Sequence, residues 1–276
     1  MAKCALIGNP ISHSKSPALF KAAYGEGPHT YTLLEAPTCK EAMHRFVEEG
    51  FTGTNVTSPF KDEVMEYISL PDRISSILGS ANTVISCNGT LHSYNTDYWG
   101  VRNTLLAAAA SISTHPNAAM AVDFPAECPA EPVAGSPLKN IKTMVIGAGG
   151  AGKAAALAAK DLGMDVWFAN RSSLTAKPFA EKIGVEYIPL EMIPSLFDSA
   201  RVIIYNLSME IEQLKNVPLK GKTVFEANYA HPNLAGKCPE TYIDGRHWLY
   251  NQAVPAFRLF TGQEPDTIAM KRAIGL

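Results

Sequence analysis

The chain has 276 residues, a length that favours two domains at roughly 100–200 residues each. Its 24 Lys and Arg against 26 Asp and Glu leave a net charge of −2, with 18% of residues charged, which excludes a polybasic nucleic-acid binder and a charged disordered tail as readings of the whole. The longest uniform apolar runs, Leu105 to Ala110 and Ala154 to Ala159, fall far short of the roughly 20 residues that span a bilayer, so no membrane partner is expected.

In chain order, Cys4 to Ile7 reads as a first strand. It is too short for the apolar region of about 7–15 residues that a secretory signal needs. A helix is predicted from about Pro17 to Tyr24, a strand over Tyr31 to Leu34 and a helix over Lys40 to Glu49. A strand over Gly53 to Val56 and a helix over Pro59 to Ile68 follow. Asn82 to Ser86 and Thr90 to Tyr94 flank Cys87-Asn88-Gly89, a hairpin signature. Ser111 to Pro137 carries five prolines and supports neither helix nor strand; it reads as an insertion. Beyond it, strands are predicted at Lys142 to Ile146, Asp165 to Ala169, Val202 to Tyr205 and Thr223 to Phe225. Helices are predicted at Gly150 to Leu162, Leu249 to Phe260 and Asp266 to Ile274. Strand–helix alternation of this kind predicts an α/β fold with mostly parallel sheets. The five cysteines, Cys4, Cys39, Cys87, Cys128 and Cys238, are scattered with no CxxC pair. Neither a disulfide framework nor a metal site is expected, and a reducing cytoplasm is.

The most specific local motif is Gly147-Ala148-Gly149-Gly150-Ala151-Gly152, placed directly after a strand and opening an Ala-rich helix. It matches G-x-G-x-x-G. Gly147 suits the tight turn, Gly149 a close approach of pyrophosphate, and Gly152 close helix packing. The next strand ends in Asn170-Arg171-Ser172. An NAD site would usually carry Asp or Glu there, whereas an Arg binds a 2′-phosphate, so NADP (NADPH) is the expected cofactor.

Four polar clusters in the first hundred residues each follow or cap a predicted strand. They are Ser12-His13-Ser14-Lys15-Ser16-Pro17, Asn55-Val56-Thr57-Ser58-Pro59-Phe60-Lys61, Gly79-Ser80-Ala81-Asn82-Thr83 and Asn95-Thr96-Asp97. Taken singly, Ser16 before Pro17 reads as an N-cap, and Asp97 as the cap of a helix beginning near Tyr98. Lys61 is expected in the first turn of a helix, where the macrodipole disfavours a cation. Taken together, Ser14, Ser16, Thr57, Lys61, Asn82 and Asp97 would gather beyond the carboxyl ends of the strands, where open α/β sheets bind ligands.

These blocks, in this order, resemble the shikimate dehydrogenase family: Gly8-Asn9-Pro10 with His13-Ser14-Lys15-Ser16-Pro17, Asn55-Val56-Thr57 with Pro59-Phe60-Lys61, Asn82-Thr83, Asn95-Thr96-Asp97, and the glycine loop with Asn170-Arg171. The resemblance implies two domains with a cleft between them. An N-terminal α/β substrate domain would span residues 1–100, with helices of 249–276 packing back on it. A Rossmann-type NADP-binding domain would span 101–248, with the insertion at about 111–137. It further implies reversible NADPH-dependent reduction of 3-dehydroshikimate to shikimate, as a monomer or homodimer with a small-molecule substrate and no nucleic-acid or membrane partner. Lys61 and Asp97 would be the catalytic pair, and Ser14 and Ser16 would bind the substrate carboxylate. Thr57, Asn82 and Gln252 would hold ring hydroxyls, and Tyr229 would meet the substrate. Asn206-Leu207-Ser208 resembles the family's Asn-Ala-Thr block near the nicotinamide. Alternatives are a quinate/shikimate dehydrogenase using NAD, or a non-catalytic shikimate-binding sensor.

Some positions depart from the family. Leu19-Phe20 stands where His-Asn is usual, Glu226-Ala227 where Asp-Met is usual, and Asp244-Gly245-Arg246-His247-Trp248 replaces Asp-Gly-Leu-Gly-Met. The changes at Ala227 and Trp248 fall around the expected nicotinamide pocket.

Overall fold

A computed structural model describes residues 1–112 and 135–276; the insertion expected at about 111–137 thus lies almost wholly outside the described residues. The chain divides into two units, one of Met1–Gly100 with Leu249–Leu276, the other of Val101–Trp248.

In the first unit the elements run β1 (Lys3–Gly8), α1 (Ser16–Tyr24), β2 (Thr30–Glu35), α2 (Cys39–Glu48), β3 (Gly53–Val56), a 3₁₀ turn (Glu63–Tyr67), β4 (Leu70–Pro71), α3 (Arg73–Leu78), β5 (Thr83–Cys87), β6 (Thr90–Tyr94) and the start of α4 (Thr96–Ala107). The strands form one sheet in the order β2-β1-β3-β5-β6-β4. β1 pairs in parallel with β2 and β3, while β5 is antiparallel to β3 and β6. β1 is buried along five consecutive residues, as an interior strand covered on both faces must be. The β5–β6 connection has Asn88 and Gly89 both at positive φ, 49° and 79°, the conformation of a two-residue hairpin turn. One face packs Phe46, Met43 and Ala42 of α2 against Ile7, Leu34 and Val56. On α1, Phe20 stacks on Tyr31 with ring centroids 4.2 Å apart and meets Phe257 and Phe260.

The second unit continues with α5 (Ala109–Ile112), β7 (Lys142–Ile146), α6 (Gly150–Asp161), β8 (Asp165–Asn170), α7 (Ser173–Ile183), β9 (Glu186–Pro189), α8 (Ile193–Leu196), β10 (Val202–Tyr205), β11 (Thr223–Glu226) and β12 (Thr241–Asp244). Its sheet order is β12-β11-β10-β7-β8-β9, every pair parallel. Counted within the unit this is the 3-2-1-4-5-6 order of the dinucleotide-binding fold, whose topological switch lies between its first and fourth strands, here β7 and β10. Two helices, α9 (Gly245–Thr261) and α10 (Thr267–Ile274), end the chain.

Packing of the last helices on the first sheet leaves no room beside β3. A Cβ on Gly53 would stand 2.4 Å from Phe260 Cδ1. Gly53→Ala should therefore destabilise the protein by about 1–3 kcal/mol through overpacking, read as a lower urea midpoint at unchanged slope.

Candidate active site

The loops after β1 and β3 are pressed together by a glycine. A Cβ on Gly8 would lie 2.4 Å from Thr57 Cγ2 and 2.6 Å from Ile11 Cγ2. Asn9 N donates to Ser58 O at 3.2 Å, and Thr57 N to Ile7 O at 2.8 Å. Both loops contain a cis X–Pro bond, at Asn9–Pro10 and Ser58–Pro59. The Ser14–Ser16 and Thr57–Lys61 segments thus share one edge of the sheet. Ser16 is not the N-cap of α1. It is the first helical residue, Lys15 occupies the cap position, and Ser14 Oγ accepts the Ser16 backbone N–H at 3.2 Å.

The helix expected from Pro59 to Ile68 does not form. Residues 58–62 make turns and lead into the 3₁₀ turn of Glu63–Tyr67. The cause is tertiary. An α-helix would give the Lys61 carbonyl to Met65, but Ala81 N–H takes that carbonyl at 2.9 Å, and Met65 N bonds Asp62 O instead. Lys61 is therefore not in an α-helical first turn, and the macrodipole argument for it lapses. Its ammonium donates to Asp97 Oδ2 at 2.5 Å. Asp97 does not cap α4 either, because the helix starts at Thr96 and places Asp97 in its first turn, where a negative charge is favoured. The Lys61 side chain is 19% exposed and that of Asp97 5%, an ion pair walled in on the carboxylate side and open on the amine side.

α4 is positioned by Asn82, a residue 3% exposed. Asn82 Oδ1 accepts the Thr96 backbone N–H at 2.6 Å and the Thr96 hydroxyl at 3.1 Å. Asn82 Nδ2 donates to Gln252 Oε1 at 2.9 Å, so what Gln252 can offer a ligand is its N–H groups. Behind this pair, Asn55 Nδ2 donates to Asn82 O at 3.2 Å and to Thr83 Oγ1 at 3.1 Å. Asn55 Oδ1 accepts the Tyr31 phenol at 2.9 Å. Burial pushes the Tyr31 pKa well above its ordinary value, so the phenol keeps its proton. Asn55, Thr83 and Thr96 stood in sequence blocks given no role for them. Tyr31 carried no signal beyond a strand pattern.

In the second unit, three glycines of the loop after β7 meet different constraints. Gly147 has φ +101°, a Cβ on Gly152 would lie 1.8 Å from Gly147 O, and a Cβ on Gly149 would meet nothing within 4 Å. Gly149 is the N-cap of α6 and supplies no side-chain cap, so the first N–H groups of the helix face open space suited to a pyrophosphate. Ala148 N donates to Asn170 Oδ1 at 3.3 Å, and Asn170 Nδ2 to Ser172 O at 3.1 Å; Asn170 thereby ties the glycine loop to the end of β8. Arg171 and Ser172 are exposed at the start of α7. Beyond β10, Asn206 Nδ2 donates to Ile146 O at 3.3 Å, while its buried Oδ1 meets no donor among the described residues. Leu207 covers Gly147, and Ser208 is exposed. Ala151 is half-buried in the first turn of α6 beside Gly150. An open glycine turn, uncapped helix amides and an orphaned amide oxygen at the switch point fit a dinucleotide. Tyr229 lies half-buried in the loop after β11. Trp248 is buried on Phe225, ring centroids 5.6 Å apart. Among the described residues no group of three or more His, Cys, Asp or Glu could hold a metal ion.

Residues 6–84 match the family model described as the shikimate dehydrogenase substrate binding domain. A shikimate dehydrogenase (NADP(+)) of Halobacterium salinarum is 30% identical over 284 aligned residues, covering 98% of this chain and 97% of the relative. Among solved structures, shikimate dehydrogenase from Aquifex aeolicus superposes with a TM-score of 0.82 at 26% identity, covering 99% of this chain and 97% of that one. The Thermus thermophilus shikimate 5-dehydrogenase in complex with NADP(H) and shikimate gives a TM-score of 0.73 at 26% identity, covering 99% and 98%.

The contact between Gly152 and the Gly147 carbonyl leaves no space for a methyl group. Gly152→Ala should weaken dinucleotide binding at least tenfold while leaving ligand binding by the first unit unchanged, measured by calorimetric titration of each ligand separately.

Proposed function

This chain belongs to the shikimate dehydrogenase family, and on that footing we propose that it catalyses the reversible NADPH-dependent reduction of 3-dehydroshikimate to shikimate. The observation that carries the reading is the Lys61–Asp97 pair at 2.5 Å, set beside the Asn82–Gln252 amides and the Ser14–Ser16 turn. The first unit is then the substrate-binding and catalytic unit, and the second holds the cofactor.

When bound, NADPH supplies the hydride. As the ketone carbon is reduced, negative charge develops on its oxygen, and Lys61 as ammonium donates a hydrogen bond and then a proton to it. Asp97 balances the ammonium, aims it and accepts the substrate hydroxyl. In the oxidative direction the Lys61 amine takes the hydroxyl proton back. Ser14 and Ser16 hold the substrate carboxylate and Thr57, Asn82 and Gln252 its ring hydroxyls, with Tyr229 a further substrate contact, as the family resemblance implies. Gly147 through Gly152 would hold the pyrophosphate, Asn206, Leu207 and Ser208 the nicotinamide end, and Asn170, Arg171 and Ser172 the 2′-phosphate. No carboxylate stands at the end of β8 to repel that phosphate.

Purified protein with shikimate and NADP⁺ should raise the absorbance of the reduced nicotinamide, and absence of any rise overturns the reading. Lys61→Ala should lower kcat by about 10²–10⁴-fold, the contribution of a general acid, with KM changing far less; a kcat within about twofold of the parent removes Lys61 from the proton transfer. Arg171→Ala should weaken NADPH much more than NADH, and equal losses for both would refute the 2′-phosphate assignment.

A further inference from the structure

Glu226, the last residue of β11, is fully buried. Its carboxylate accepts four hydrogen bonds from other parts of the chain. Oε1 takes the Asn233 backbone N–H at 2.5 Å and Asn233 Nδ2 at 3.1 Å. Oε2 takes the Leu234 N–H at 3.0 Å and the Tyr242 phenol at 2.9 Å. Burial and the adjoining carboxylate both push the Tyr242 pKa up, so that phenol remains a donor. Leu234 is itself plugged into the core of the unit.

The Glu226 bonds therefore close the base of the loop 227–234. A second rung crosses the same loop. Asn228 Nδ2 donates to His231 O at 2.8 Å, and His231 N returns a bond to Asn228 Oδ1 at 3.1 Å. Tyr229 lies at the tip that this outer rung closes off. At the near end, Ala227 is held by its N–H to Tyr205 O at 2.9 Å. Its carbonyl faces Gly245, where a Cβ would approach to 2.3 Å.

A fully buried carboxylate is expensive to desolvate and is tolerated when its lone pairs are all claimed. Apolar packing would hold a loop of this kind with no such cost. What the carboxylate adds is direction: two consecutive backbone N–H groups and a side-chain amide must converge on it, which fixes the loop in one conformation. We propose that Glu226 is a positioning residue for substrate binding, holding the Tyr229 loop in its ligand-ready form so that no ordering cost falls on the arriving substrate. The inference rests on the reading that Tyr229 meets the substrate, and the two can fail separately.

The test is a double-mutant cycle on the full chain, with Glu226→Gln, Tyr229→Phe and the double variant. Tyr229→Phe should raise KM for shikimate by about three- to tenfold, the loss of one hydrogen bond. Glu226→Gln should raise it by a similar factor, with kcat and KM for NADP⁺ within about twofold of the parent. The double variant should be no worse than Tyr229→Phe alone, because the two act through one contact. Multiplying effects would overturn the positioning role while leaving the Tyr229 reading intact, and a Tyr229→Phe variant with unchanged KM would remove both. A rise in KM for NADP⁺ in step with that for shikimate marks general damage to the unit and also overturns the proposal. Should Glu226→Gln fail to fold, Asn228→Ala opens the outer rung without touching the buried carboxylate, and the same cycle is run with it.

Discussion

The side-chain amide of Asn82 is the point on which the substrate edge depends. Its oxygen takes the first N–H of α4, so it decides where that helix begins and places Asp97, the next residue, against Lys61. Its nitrogen fixes Gln252. Because the Thr96 N–H can only donate, the amide cannot flip without leaving a buried donor unmatched, a loss of about 1–3 kcal/mol. One orientation of one amide thus sets the helix start, the position of the ion pair and the face that Gln252 presents. Lys61 is fixed from the other side, through its carbonyl to Ala81, the residue next to Asn82. Amine and carboxylate are thus held from the Ala81 N–H on one side and the Asn82 amide on the other, in addition to their own attraction.

The dinucleotide unit solves its problem by different means. There the controlling constraint is steric: Gly147, Gly149 and Gly152 remove side chains where a turn, a ligand approach and a helix contact are needed. Polar bonds such as Ala148 N to Asn170 then fix the loop against the neighbouring strand. The buried carboxylate of Glu226 shows a third means, in which a charge is placed inside the fold and the loop is gathered around it.

Legibility in the sequence followed the range of the forces. Apolar runs revealed β1, β7 and β10 to within a residue or so, and the glycine loop announced both its strand and its helix. The Asn88-Gly89 turn was readable because its positive φ values demand those residue types. The helix expected at Pro59–Ile68 failed because a distant N–H captured the Lys61 carbonyl, which no local pattern records. α7 escaped notice because it carries an internal proline, and β12 because Thr241-Tyr242-Ile243-Asp244 is only half apolar. At the site, Lys61, Asp97 and Asn82 were legible as polar residues in strand-end blocks. Their mutual geometry was not, since it depends on the Ala81 N–H taking the Lys61 carbonyl and on Asn82 taking the Thr96 N–H, contacts between residues distant in sequence. Caps were misassigned at Ser16 by one residue and at Asp97 by two, the margin by which helix boundaries ordinarily drift.

The first unit is assembled from two stretches of chain separated by the whole of the second. Asn82 and its partner Gln252 are 170 residues apart, and Phe260, which covers β3, comes later still. On the ribosome, where domains fold as units while the chain emerges, the nucleotide-binding half has all of its strands before the substrate half has its final helices. Until Gln252 and Phe260 have been synthesised, the nascent substrate half lacks the partner of the Asn82 amide and the ring that covers Gly53. The half that is begun first is the last to be completed.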